Sequence, residues 1–261
     1  MTARARHIVI TGASGGIGHA LAVAYAEPGV VLGLIGRDAA RLDACAEHCR
    51  RLGAQVVTEQ LDVRAAPEIE RWMQAFDHAY PIDLLIANAG AASTIASVHD
   101  WEDAARTELV METNFYGAMN VVLPAQRWMR GRGYGHIVLV SSIAALRGMA
   151  ISPAYCASKA ALKAYGDSVR PLLKLQGIQM SVVLPGFVRT PMSDAFPGHK
   201  RLMWSPGRAA RFIRRRLDRR CAEIAFPGPL VWGLKLLTLL PPALADLILG
   251  GLSYAPGRRA E

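Results

Sequence analysis

Tyr155 and Lys159 stand four residues apart in the run AYCASKAALKAYGDSV, whose pattern predicts a helix. Positions i and i+4 share one helix face, about 5–6 Å apart at Cβ. An ammonium fixed beside a phenol makes the phenol's proton easier to lose. Ser142 lies thirteen residues before the tyrosine and ends the strand-like run HIVLVSS, with Ser141 as the adjacent hydroxyl. In open α/β sheets, the carboxyl ends of strands are where ligands bind. A proton donor, a charge that tunes it and a hydroxyl that holds an oxygen are the parts of a proton-transfer site. Each residue alone also has an ordinary structural reading: a serine after a strand, a helical tyrosine, a surface lysine.

The elements that must position these groups follow from the hydrophobic pattern. HIVIT, residues 7–11, reads as a buried strand, followed by GASGGIG at 12–18 and the helical run HALAVAYAE. Strand, glycine turn and helix form the context of a phosphate-binding turn: free N–H groups and the positive end of a helix dipole face an anion. Further strands are expected at 30–35, 56–63, 82–90, 136–142 and 178–186, with AEIAFP as a last one. Helices are expected at 38–52 and 66–78, across a long region from 100 to 130 that contains Asn114, and from Tyr155 onward. Apolar strands alternating with helices imply a doubly wound parallel sheet covered on both faces. The catalytic body spans 1–227. Within it, 187–220 form a lid and a basic helix capped at Ser205, and 228–261 form an apolar extension.

The chain has 261 residues, 52% hydrophobic and 20% charged, a composition that excludes disorder. Its net charge is +9, with six arginines in RFIRRRLDRR between Arg211 and Arg220 and others at Arg4, Arg6, Arg258 and Arg259. The first reading of that run is a solvated helix face; the second is contact with anionic lipid, a phosphorylated substrate or an acidic partner. Nucleic acid is not expected, because no recognition module or interleaved aromatic accompanies the arginines. Cys45 and Cys49 flank His48 but match no zinc spacing, and no HExxH pair occurs, so no metal is expected. Only six residues precede HIVITG, which is not a signal peptide, and a cytoplasmic location follows.

Residues 228–252 carry only Lys235 and Asp246 as charges and are split by Pro241 and Pro242 into pieces of about ten residues, too short for a bilayer helix. Three readings stand: packing on the body or a partner subunit, lying in a membrane surface, or walling an apolar substrate tunnel.

Together, T-G-x-x-x-G-x-G at 11–18, N-A-G at 88–90, Asn114, Ser142, Y-x-x-x-K at 155–159 and P-G at 185–186 occur in the order and spacing of one family. Over roughly residues 7–190 the chain resembles the short-chain dehydrogenase/reductases, which implies a Rossmann-type α/β single domain and a nicotinamide cofactor. The resemblance assigns Thr11, Gly12, Ser14, Gly16, Ile17 and Gly18 to the cofactor turn. Asp62 and Val63 fall beside the adenine, and Asn88, Ala89 and Gly90 along the cofactor. Pro185, Gly186, Val188 and Thr190 fall against the nicotinamide. It makes Tyr155 the acid/base and Lys159 its partner and ribose contact. Ser142 holds the substrate oxygen, and Asn114 supports a relay water.

An acid ending the second strand would select NAD, but Gly36 stands there and Arg37 follows, so NADP is favoured over NAD. Asp38 comes one residue too late to play the acid. The implied reaction interconverts a carbonyl and an alcohol by hydride transfer. Phe187, Met192, Phe196, Met203 and Trp204 are expected to line an apolar lid over a hydrophobic or bulky substrate. The alternatives are a membrane-surface enzyme acting on a lipid or polysaccharide precursor, with contact through 205–252, or a non-catalytic NADP-binding sensor. The family is often oligomeric, so a homo-oligomer is expected.

Overall fold

Alternation within the first strand divides the molecule into layers. In β1 (His7–Thr11), Ile8 and Ile10 point to one side and Val9 to the other, all three wholly buried. Ile8 and Ile10 join Leu21 of α1 (Gly16–Tyr25), Leu32 and Leu34 of β2 (Val31–Gly36), and Leu42 and Cys45 of α2 (Ala39–Arg51). Val9 joins Ile69 and Met73 of α3 (Ala66–Ala79), Val121 and Val122 of α5 (Gly117–Arg132), and Leu162 of α6 (Pro153–Lys174). A fully buried aliphatic side chain contributes about 1.5–3 kcal/mol, so both helix layers are firmly seated on the sheet. The computed structural model describes residues 5–95, 99–196, 200 and 202–251. Arg4, the lid positions 197–199 and 201, and the end of the extension with Arg258 and Arg259 lie outside the described residues.

The sheet is parallel throughout and ordered β3-β2-β1-β4-β5-β6-β7. β3 is Gln55–Gln60, β4 Leu84–Ala87, β5 Gly135–Val140, β6 Ile178–Pro185 and β7 Glu223–Phe226. The strand order reverses between β1 and β4, and that switch opens a crevice at their carboxyl ends. The doubly wound α/β expectation therefore holds.

Several boundaries differ from expectation, each for a local reason. β4 stops at Ala87 because the N–H groups of Asn88 and Ala89 turn to the Thr11 hydroxyl, at 3.0 Å each. The helical region at 100–130 is three pieces: α4 (Ala104–Met111), a π-helical turn at Glu112–Tyr116 and α5. The lid holds a short helix, α7 (Pro191–Asp194), closed by a capping box between Thr190 and Ser193. The basic helix α8 (Pro206–Asp218) buries Ala209, Ala210, Ile213 and Leu217 on the layer containing α1. Arg211 and Arg215 are exposed, while Arg214 reaches back to Glu27 at 3.0 Å and to the Ala24 carbonyl. The run is thus largely a solvated face.

After β7 come α9 (Gly228–Leu237) and α10 (Pro242–Gly251), meeting at the paired prolines. Each is pinned to the body by its one charge: Lys235 to Glu223 at 2.9 Å and Asp246 to Arg147 at 2.5 Å.

Candidate active site

One continuous cavity of about 670 Å³ runs along the carboxyl ends of the strands. At one end lies the glycine turn. Gly12 has φ +68°, and a Cβ there would come within 2.9 Å of Ala89 Cα. At Gly18 a Cβ would fall 2.3 Å from the Gly12 carbonyl oxygen, so the turn closes against α1 only with glycine. Asn88 locks this closure: its Nδ2 donates to the Thr11 carbonyl at 2.9 Å and reaches the Gly12 carbonyl at 3.4 Å. Thr11 and Gly18 therefore stand behind the cavity and shape it, while Gly12, Ser14, Gly16, Ile17, Asn88, Ala89 and Gly90 face it.

Arg37 lines the same end, joined by Arg41, which the sequence reading did not single out. Its signal was present: Arg41 lies in the first turn of α2, four residues after Arg37. Asp38 is used as the cap of α2, accepting from the Arg41 N–H at 3.0 Å and pairing with the Arg41 Nε at 2.9 Å. Leu61 and Val63 form the wall opposite. Asp62 does not line the cavity: its carboxylate takes Arg64 at 2.8 Å and faces Arg37 at 3.8 Å. The Arg64 hydrogen bond foremost holds that carboxyl below its usual range.

Tyr155, Lys159 and Ser142 meet at mid-cavity. Pro153 in the first turn starts α6, and the helix carries Tyr155 and Lys159 on one face. Lys159 is 4% exposed, and its ammonium donates to the Val140 carbonyl at 3.0 Å and lies 5.7 Å from the Tyr155 ring centre. Ser142 caps a short 3-10 turn, its hydroxyl accepting from the Ala144 N–H at 3.1 Å and donating to the Pro185 carbonyl at 3.4 Å, and it lines the cavity together with Tyr155. The Ser141 hydroxyl donates to the Lys159 carbonyl at 2.7 Å, inside the helix–sheet contact. Both serines line the cavity, but the Ser141 hydroxyl is committed to the helix backbone.

The expected effect of Lys159 on Tyr155 is absent among the protein's own groups. Burial pushes the phenol up to about 12, the Ser142 hydroxyl working against it and Cys156 with it. Burial also brings the Lys159 ammonium down to about 8. Both charged forms have lost water, and desolvation is the foremost cause of each shift.

Asn114 is wholly buried in the π-helical turn and does not reach the cavity. It accepts from the Ala91 N–H at 2.7 Å and donates to the Ala91 carbonyl at 3.0 Å and to the Ser158 hydroxyl at 2.8 Å. It thereby ties the segment after Gly90 to the α6 turn that carries Lys159.

The other end of the cavity is apolar, walled by Ile143, Met149, Phe187, Met192 and Phe196 together with Leu230, Leu234, Leu237 and Leu249 of α9 and α10. Pro185, Gly186, Val188 and Thr190 connect the two ends. The inner side of the C-terminal helix pair thus lines the cavity. The expected lid is corrected at two positions, since Met203 and Trp204 are not cavity residues. Trp204 pairs with Val188 as a β-bridge that turns its ring to the far side. There it stacks on Phe226 at 4.6 Å, under the Arg208 guanidinium.

The glycine cradle, the free N-terminus of α1 and the arginine pair suit a nicotinamide dinucleotide. The model of the short chain dehydrogenase family matches residues 6–200. An uncharacterized oxidoreductase of Myxococcus xanthus is 33% identical over 92% of this chain and 95% of its own. An Arabidopsis thaliana relative, 11-beta-hydroxysteroid dehydrogenase-like 2, is 30% identical over 93% of this chain and 80% of its own. Among solved structures, a short chain dehydrogenase/reductase from Burkholderia phymatum in complex with NAD aligns over 98% of both chains, with a TM-score of 0.81 and 22% identity.

Proposed function

Because the chain belongs to the short-chain dehydrogenase/reductase family of NAD(P)-dependent oxidoreductases, we propose that it interconverts a bulky apolar ketone and its alcohol, preferring NADP(H). When bound, the nicotinamide supplies or accepts the hydride at the carbonyl carbon. In reduction, Tyr155 gives its proton to the oxygen as negative charge builds there, and Ser142 donates a hydrogen bond to the same oxygen. The buried phenol, held up to about 12, is kept protonated and ready to donate at neutral pH. Lys159 holds the ribose and supplies positive charge beside the phenol in the oxidation direction. Asn114 is a positioning residue, fixing Ala91 and, through Ser158, the helix turn of Lys159.

The observation that carries this reading is the meeting of Tyr155, Lys159 and Ser142 at the junction of the glycine-lined and apolar halves of one cavity. The apolar half supports a hydrophobic substrate, in line with the name of the Arabidopsis relative. The NADP preference is supported by Arg37 and Arg41 at the nucleotide end, and by Asp38 being engaged as a helix cap. The test is Tyr155→Phe assayed with NADPH on a panel of apolar ketones. Turnover should fall by about 10²–10⁴ while NADPH binding persists. Full turnover in the variant overturns the assignment.

A further inference from the structure

Helices α9 and α10 are apolar on both sides. Their inner residues, Leu230, Leu234, Leu237 and Leu249, wall the cavity. Their outer residues face outward with no cover among the described residues: Trp232 is 68% exposed and Leu247 74%, with Leu236 and Leu244 also exposed, and Leu239 in the link between the helices is 79% exposed. A helix apolar all round requires an apolar neighbour on each side, and an exposed patch of this kind marks an interface. The only charges of the pair are neutralised against the body, Lys235 by Glu223 and Asp246 by Arg147. The outer face therefore offers bulky apolar groups and no unpaired charge of its own.

We infer that this outer face docks on the surface of an anionic lipid bilayer, so that apolar substrate passes from the membrane into the cavity under the same two helices. The inference rests on the reading of the apolar half as the substrate site. Each helix has ten residues, a length of about 15 Å, which suits a helix lying in the interfacial plane and not one crossing about 30 Å of hydrocarbon. No helix among the described residues is long and apolar enough to cross. Trp232, with the Lys235 ammonium 5.9 Å from its ring centre, has the amphipathic character of an interfacial anchor. The choice of a bilayer over a second copy follows from charge. The chain carries +9, and Arg258 and Arg259 follow α10 closely in the sequence. Anionic headgroups attract that charge, while an identical copy repels it.

The test uses the full chain and flotation with vesicles of phosphatidylcholine containing about one-third phosphatidylglycerol at low salt. The protein should float with them, and less with pure phosphatidylcholine. A triple variant, Trp232→Glu with Leu236→Glu and Leu247→Glu, should lose at least about tenfold in partitioning. None of the three residues lines the cavity, so turnover of a water-soluble ketone and the Tm should hold. Failure of the parent protein to float, or flotation of the triple variant to the same extent, overturns the inference. So does a dimer that the triple variant dissolves without any vesicle binding, because the face then belongs to a second copy. Tyr155→Phe separates the two readings: it should float normally and be inactive. Retained turnover in Tyr155→Phe sinks the catalytic assignment and leaves docking untouched.

Discussion

Burying an ammonium and a phenol side by side sets two opposed pH dependences within a few ångströms. Lys159 has a folded value of about 8 against 10.5 ordinarily, so between those values the unfolded chain binds more protons than the folded one. Stability rises with pH wherever that holds, so the penalty of the buried charge is present in full below about pH 8 and relieved by about pH 10.5. Tyr155 runs the other way: its folded value of about 12 lies above the ordinary 10, and its contribution is lost as pH climbs through that window. A descent from 10.5 to about 8 corresponds to about 3 kcal/mol, offset by about 1 kcal/mol for the Val140 carbonyl that loses its donor if the lysine is removed. Lys159→Met should therefore unfold at higher urea than the parent at pH 7 and lose that advantage toward pH 10, while losing activity. Urea midpoints across pH 6–10 check this, and a variant less stable at pH 7 with no narrowing toward pH 10 would refute the burial argument.

At the scale of elements, the parts legible in the sequence were those with a strong period or a fixed residue order. The strands were readable because a parallel strand covered on both faces is apolar throughout, and the glycine turn because strand and helix flank it. The π-helical turn left no such mark: ETNFY has helical composition, and the turn shows only in the structure, where it carries Asn114 with its three hydrogen bonds. Trp204 was misassigned because an apolar residue in an aperiodic loop carries no facing information until a partner such as Val188 fixes its direction. Arg41 was missed because a surface arginine on a helix normally has no role. Asn114→Ala should leave the Ala91 N–H and carbonyl unpaired, at about 1–3 kcal/mol for each orphaned group. The expected result is a lower Tm together with a fall in kcat larger than the change in KM for the carbonyl. An unchanged kcat with a lowered Tm would reduce Asn114 to a purely structural strut.

Taken whole, the molecule is a cation with the glycine-turn end of its cavity lined by Arg37 and Arg41. On the proposed preference for NADP(H), these arginines attract the extra phosphate, and salt screens the attraction within about 10 Å at 0.1 M. The KM for NADPH should therefore rise with ionic strength more steeply than that for NADH. Replacing both residues, Arg37→Ala with Arg41→Ala, should cut the NADPH-over-NADH ratio of kcat/KM by about tenfold or more. A ratio unmoved by the double substitution would assign the selection elsewhere.

The apolar wall contributed by 229–249 is the last described part of the chain, after every strand, while the nucleotide end is complete by Thr190. The glycine-lined end of the cavity and the leucine-rich part of its apolar end thus come from separate stretches of the polypeptide. A recombination joining two such chains just after β7 would exchange the leucine wall of α9 and α10 and keep the glycine turn together with Ile143, Met149, Phe187, Met192 and Phe196.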